Sequence, residues 1–116
     1  MSATGLVGYL EQRFPKGLPY DDAAQLCLHL YCTVGDLPES LRENANKHTL
    51  ADTFAALAKC GWVKDQDSPF QAAYGANHHA VSDRGHWVEI IASIFKKGNT
   101  VNEARRKELA LQLRNA

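Results

Sequence analysis

The 116-residue sequence is short of the features that mark secreted or membrane-inserted proteins. It has three cysteines, an odd number too small for a disulfide framework, and we interpret them as buried, reduced thiols. No run approaches the roughly 18 consecutive apolar residues of a membrane span, and no basic segment followed by an apolar stretch stands at the N-terminus. We therefore expect a cytoplasmic protein, neither secreted nor inserted into a membrane.

An excess of charge of one sign is also lacking, since 13 Lys and Arg residues balance 13 Asp and Glu residues. A net charge of zero argues against a strongly electrostatic, non-specific binder of nucleic acid. The balance is uneven along the chain, because residues 96–116 are rich in lysine and arginine whereas the preceding part is neutral or acidic. The C-terminal tail is therefore predicted to be the basic part of the protein.

Motifs that carry catalytic or metal chemistry are missing as well. No cysteine or serine stands in a pattern with a histidine and an orienting group, and there is no phosphate-binding glycine loop. His78 and His79 are adjacent in a predicted strand, so they point to opposite faces and cannot both serve one ion without distortion. We interpret the chain as a non-enzyme and expect neither a cofactor nor a metal site.

Residues 37–61 have the pattern of a helix-turn-helix unit, two short amphipathic helices joined by a polar turn. In the first helix, apolar side chains recur every four residues, at Leu37, Leu41 and Ala45. In the second helix, Thr49 is the predicted N-cap, and the apolar stripe consists of Leu50, Phe54 and Leu57. Gly61 is expected to adopt the left-handed conformation that ends this helix.

The flanking segments complete a mainly α-helical domain with a small β-wing, spanning residues 1–116. Asp21 and Asp22 are predicted to cap a core helix over Ala23–Thr33. Residues 62–81 contain two weakly strand-like segments separated by turns, which predicts a two-stranded ribbon. Two further helices are predicted over residues 83–97 and 102–115. A ribbon that directly follows the second helix of a helix-turn-helix is a wing.

Two local patterns, taken in order, resemble a known family. The first is Leu50-x-x-x-Phe54-x-x-Leu57-x-x-x-Gly61-Trp62-Val63, which is similar to a recognition helix with its closing glycine and first wing strand. The second is Val81-Ser82-Asp83-Arg84-Gly85, which is similar to the leucine-threonine-x-x-glycine signal at which the wing returns. From about Asp22 to Phe95, the chain resembles the winged helix-turn-helix superfamily, and MarR-like regulators in particular.

The resemblance implies a DNA-binding transcriptional regulator whose second helix lies in the major groove of duplex DNA. The residues expected to contact phosphates and bases on this interpretation are Arg42, Lys47, His48, Thr49, Thr53, Lys59 and Arg84. An alternative follows from the alanine-rich outer face, on which Asp52 would repel phosphates and little could read a base edge. On that alternative, the protein is an inhibitor or adaptor, such as one encoded by a phage or plasmid, that binds another protein through Asp52, Ala55 and Ala56.

The most hydrophobic helical stripe of the sequence, around Trp87, is wider than one small domain needs. Two interpretations of it stay open, a core face and a seam between two copies in a homodimer. The residues of the predicted dimer seam are Trp87, Ile91, Ile94, Leu109 and Leu113.

Overall fold

A computed structural model of the chain describes residues 5–64, 83–96 and 103–115. The elements in chain order are α1 (Gly5–Arg13), β1 (Leu18–Pro19), α2 (Tyr20–Cys32), two 3₁₀ helices (Val34–Asp36 and Glu39–Asn44), α3 (Lys47–Lys59), β2 (Val63–Lys64), α4 (Arg84–Lys96) and α5 (Glu103–Asn115). The prediction of a mainly helical fold with a small sheet is confirmed. Among these described residues, no helix is both long enough and apolar enough to cross a membrane.

Helix α3 lies in the core of the fold, and α4 packs along it while α1 and α2 contact it from other directions. The predicted stripe of Leu50, Phe54 and Leu57 is fully buried. The buried surface of α3 is wider than that stripe, because Ala51, Thr53, Ala55 and Ala58 are also enclosed. Small side chains at these positions let neighbouring helices approach α3 closely, so only a narrow part of it remains exposed.

The predicted N-cap of α3 and the predicted glycine at its C-terminal end have different outcomes. The N-cap is Asn46, whose side-chain oxygen accepts a hydrogen bond from the Thr49 backbone N–H at 2.9 Å. The prediction that Thr49 caps the helix is therefore wrong, since the helix begins at Lys47. At the other end, Gly61 has φ +90°, which confirms the predicted left-handed residue.

The first helix of the predicted helix-turn-helix is not an α-helix. Residues Glu39–Asn44 form a 3₁₀ helix instead, with Leu37 buried just before it and Leu41 and Ala45 partly buried against the core. The predicted apolar face is thus present, but it is built on a tighter helix. A 3₁₀ helix keeps positions i and i+3 in line, so short runs of this kind serve as connectors between longer helices.

The sheet joins the segment before α2 to the segment after α3. β1 and β2 pair in parallel, with Leu18 opposite Val63, and the Leu18 N–H donates to the Trp62 carbonyl oxygen at 3.0 Å. Gly17 has φ +77°, and a Cβ atom there would lie 2.3 Å from the same carbonyl oxygen, so this approach requires glycine. The prediction of an extended segment after Gly61 is confirmed by β2, whereas the predicted returning strand lies outside the described residues.

Helix α2 begins three residues earlier than predicted, at Tyr20 behind Pro19. Asp21 and Asp22 lie in its first turn and are not its caps, since the N-cap residue is Pro19 and no side chain caps the helix. Carboxylates in the first turn still favour the positive end of the helix dipole. Asp22 has a further role that the sequence did not indicate, because it forms an ion pair with Arg105 of α5 at 2.6 Å.

The predicted dimer seam is part of the core. Trp87 and Ile91 of α4 and Leu109 and Leu113 of α5 are at most 1% exposed within a single chain. The seam prediction is therefore wrong for these four residues, because α2 and α3 cover the stripe that the sequence left without a partner. The side chain of Ile94 lies outside the described residues.

Candidate interaction surface on helix α3

The exposed part of α3 is a single stripe, which we call the α3 edge and define as His48, Asp52, Ala56 and Lys59. These residues are spaced four, four and three apart, so they line up along one side of the helix. The positions between them face the core or are partly covered. The α3 edge is therefore the most accessible part of α3 for a partner.

Arg84, at the start of α4, lies against the N-terminal half of the α3 edge. Its Nε is 2.5 Å from Asp52 Oδ1, and its Nη2 is 2.9 Å from His48 Nδ1. Because a guanidinium can only donate, His48 Nδ1 is the acceptor and the ring proton is on Nε2. The Arg84 and Asp52 side chains remain 48% and 60% exposed, so the ion pair lies at the surface.

The structure brings together three residues from the sequence-predicted sets. His48 and Arg84 belong to the predicted DNA contacts, and Asp52 belongs to the alternative protein-binding set. Their juxtaposition changes the charge of the surface, because the Asp52 carboxylate neutralises the arginine expected to reach phosphate. The sequence could not indicate this contact, since residues 52 and 84 are far apart in the chain and belong to different helices.

Other predicted DNA contacts are placed elsewhere or are less accessible. The prediction for Thr53 is wrong, because its side chain is 5% exposed and faces the core. Arg42 donates from Nε to the Leu37 carbonyl oxygen at 2.9 Å and from Nη2 to that of Gly35 at 3.2 Å, so it holds the chain around the 3₁₀ helices. Lys47 and Thr49 are half-buried, whereas Lys59 is exposed at the end of α3.

The alternative set is also divided by the structure. Asp52 and Ala56 are exposed, but Ala55 is 8% exposed and belongs to the core, so the prediction that Ala55 contacts a partner is wrong. Helix α4 lies along α3, and the Trp87 ring reaches the Phe54 ring at 5.3 Å between centroids. The side of α3 next to Phe54 is therefore enclosed.

A polar contact beneath this surface was not predicted. The Tyr20 hydroxyl oxygen lies 2.7 Å from His86 Nε2 in the core. Burial, with the charge of nearby Asp21, raises the pKa of the Tyr20 hydroxyl far above its ordinary value, so this group stays neutral and shares a hydrogen bond with the histidine ring nitrogen. This contact gives His86 a role in joining α2 to α4.

Metal chemistry has no candidate site in the part of the chain that the structure describes. Across residues 5–64, 83–96 and 103–115, no three His, Cys, Asp or Glu side chains are grouped so that they could hold an ion. His78 and His79, for which the sequence argues against a metal role, lie outside these ranges.

Comparisons with protein-family models, with curated proteins and with solved structures found no significant match.

Proposed function

We propose that this chain is a non-catalytic binding protein of winged-helix type that recognises another protein through the α3 edge. The winged-helix assignment is supported by the order of elements, in which α3 follows a short 3₁₀ helix and is succeeded by Gly61, β2 and α4. It is also supported by the sequence patterns that end at Val63 and Gly85.

The Asp52–Arg84 ion pair is the observation that carries the proposal of a protein partner. A DNA-reading helix gains affinity when its cations displace counterions from phosphates. Here the cation nearest to the middle of the edge is already paired with a carboxylate, which would itself approach the phosphates. The next position along the edge is Ala56, which has no hydrogen-bonding group for a base. The α3 edge is therefore nearly neutral, and Ala56 near its middle has a small side chain. Both features favour contact with a protein.

Duplex DNA is the second candidate, and a specific observation favours it. The exposed or half-exposed cations Lys47 and Lys59 lie at the two ends of α3, and neither has a carboxylate partner among the described residues. They could contact phosphates on both sides of a groove while His48 contacts a base. In this arrangement Asp52 would weaken binding, so its replacement by a cation would strengthen it.

One pair of charge-reversal variants separates the two candidates. Asp52→Arg changes the charge of the α3 edge by two units, and Glu39→Arg makes the same change at an exposed site on the second 3₁₀ helix. The full chain and both variants would be immobilised and exposed to an extract of the cells from which the protein comes, and the retained protein and DNA would be identified. Binding of a random-sequence duplex would be measured by fluorescence anisotropy at low and moderate salt.

We expect a protein that is retained by the unmodified chain and by Glu39→Arg but at least ten-fold less by Asp52→Arg. We also expect no salt-sensitive duplex binding by the unmodified chain. The proposal fails if the unmodified chain binds duplex DNA with an affinity that falls steeply with salt and rises in Asp52→Arg, since this result identifies a DNA binder. Circular dichroism of both variants verifies that each is folded.

A further inference from the structure

A second surface feature lies between α2 and α5 and shares no residue with the α3 edge. It is a cleft of about 270 Å³, which we call the α2–α5 cleft, and its lining residues are His29, Cys32, Thr33, Arg106, Lys107, Ala110 and Arg114. On α2 the lining positions His29 and Cys32 are three apart, Thr33 directly follows that helix, and on α5 the main ones are spaced four apart. Each helix therefore presents one face to the cleft.

The shape of the cleft follows from side-chain size. The small residues Cys32, Thr33 and Ala110 leave space between the two helices, whereas the long cations Arg106 and Arg114 stand two turns apart on α5. Drug-sized ligands occupy pockets of roughly 300–1,000 Å³. The α2–α5 cleft is slightly smaller than that range, which suits a molecule smaller than a drug.

The charge of the lining is positive. It includes three fixed cations and no carboxylate. Asp36 lies beside the cleft and binds Arg114 through Nη1 at 3.1 Å, but the other N–H groups of that guanidinium remain able to donate. Among the described residues, the ion pair of Arg106 is a 3.5 Å contact with the exposed Glu103, a kind of pair that contributes little. Lys107 has no carboxylate partner among the described residues.

Some positive charge here is expected without any ligand, because the cleft lies beside the C-terminal end of α2. A helix C-terminus carries only about half a negative charge, which one cation satisfies. Counted with their partners Asp36 and Glu103, the two arginines and the lysine leave one net positive charge, and the remaining N–H groups of the arginines are grouped around an open space. Arginine forms paired hydrogen bonds with phosphate oxygens, and the Thr33 hydroxyl adds a further donor.

We propose that the α2–α5 cleft binds a small phosphate-bearing ligand, a phosphomonoester or free phosphate. A phosphomonoester carries about −1.5 to −2 charges near neutral pH, which matches several cations better than a monocarboxylate does. Arg106 and Arg114 would hold the phosphate oxygens from two sides, and Lys107 would add charge at the rim. This site is independent of the proposed protein partner.

The prediction of buried thiols is wrong for Cys32 and Cys60, which are both exposed, and these two thiols offer a direct test. Cys32 lines the cleft, whereas Cys60 is exposed outside it, so one chain contains both a reporter and its internal control. The rate of alkylation by iodoacetamide would be followed at each cysteine by mass spectrometry. The full chain would be titrated with phenyl phosphate, with inorganic phosphate and with benzoate, all at constant ionic strength.

We expect phenyl phosphate or inorganic phosphate to slow alkylation of Cys32 in a saturable manner, with Cys60 unaffected and benzoate at least ten-fold weaker. Tighter protection by phenyl phosphate identifies an organic phosphomonoester, and equal protection by both identifies free phosphate. Lys107→Gln should weaken protection about five-fold, whereas Lys59→Gln, which removes the same charge outside the cleft, should change it less than two-fold.

Three results would overturn the proposal. The first is the absence of saturable protection at Cys32 by either phosphate probe. The second is an equal loss of affinity in Lys107→Gln and Lys59→Gln, which would mean that only net charge matters. The third is stronger protection by a short DNA duplex, at equal phosphate concentration, than by phenyl phosphate, which would assign the cleft to a nucleic-acid backbone.

Discussion

The junction between α3 and α4 and the junction between α2 and α5 are held by different interactions. At the first, the Trp87 ring packs against the rings of Phe54 and Tyr20, with centroids 5.3 and 5.5 Å away. At the second, Leu109 and Leu113 are buried, Arg105 is bound to Asp22 of α2, and Arg114 is bound to Asp36 of the adjoining 3₁₀ helix. One junction depends on aromatic packing, and the other adds charge pairs to a smaller apolar contact.

This difference determines how each junction responds to solution conditions. Aromatic burial does not depend on ionisation, so the α3–α4 junction should keep its strength across a wide pH range. At the α2–α5 junction, burial of Asp36 opposes ionisation, but hydrogen bonds from His29 and Arg114 outweigh it and lower the pKa of that carboxyl. Hydrogen bonds to Asp22 and Glu108 raise the pKa of Arg105 above its ordinary value, so it stays charged.

The largest effect is expected when the aromatic contact of the α3–α4 junction is removed. Trp87→Ala should lower the free energy of unfolding by about 3–5 kcal/mol, because it leaves a cavity between Phe54 and Tyr20. Urea denaturation followed by circular dichroism measures this loss. Leu111→Ala is the control, since Leu111 is 55% exposed on α5 and should change stability by under about 0.5 kcal/mol. Equal losses in the two variants would contradict the packing shown by the structure.

A smaller, pH-dependent effect is expected at Asp36 in the α2–α5 junction. Because folding lowers the pKa of this carboxyl, its contribution is present above the unfolded-state pKa and is lost as pH falls through the folded-state value. Asp36→Asn should therefore cost about 1–2 kcal/mol at pH 7 and almost nothing near pH 2. Thermal denaturation between pH 2 and 7 measures the difference.

The exposed residue Glu39 supplies the matched control for that pH series. Glu39→Gln also removes one carboxylate, but it should change stability by under about 0.5 kcal/mol at every pH. If Asp36→Asn shows a constant loss from pH 2 to pH 7, the ionised form of Asp36 is not what stabilises the junction.

The smallest effect is expected from the ion pair on the α3 edge. Arg84→Gln removes a pair with both partners about half exposed, which should cost about 0.2–1 kcal/mol and less at 0.5 M salt. Arg105→Gln makes the same chemical change at the α2–α5 junction, where the partner Asp22 is largely buried, and should cost about 1–2 kcal/mol. Urea denaturation measures the loss of stability in both variants. A larger loss for Arg84→Gln than for Arg105→Gln would contradict this prediction.

Features that depend on neighbouring residues could be predicted from the sequence. The apolar stripe of α3 and the left-handed Gly61 follow from helical periodicity and from the conformational freedom of glycine, both of which act within a few residues. The residue at which α3 starts was harder to predict, because Asn46 and Thr49 are both good N-cap residues. The structure selects Asn46 by its hydrogen bond to the Thr49 N–H.

Features that depend on distant parts of the chain could not be predicted. Periodicity shows which side of α3 is apolar, but the burial of Thr53 and Ala55 depends on where the neighbouring helices lie. The prediction of a dimer seam was wrong for a related reason, because other helices of the same chain cover the apolar residues that were assigned to it. The pair of Asp22 and Arg105, 83 residues apart, has no local signal in either segment.

The position of Phe54 has a spectroscopic consequence. Its ring lies between those of Trp62 and Trp87, with centroids 6.3 and 5.3 Å away, and the chain has only these two indoles. Both are buried, so the tryptophan emission of the protein originates from two indoles whose rings contact the same phenylalanine. A single wavelength therefore monitors the middle of α3, and replacing either indole with phenylalanine would assign the signal to one side of that helix.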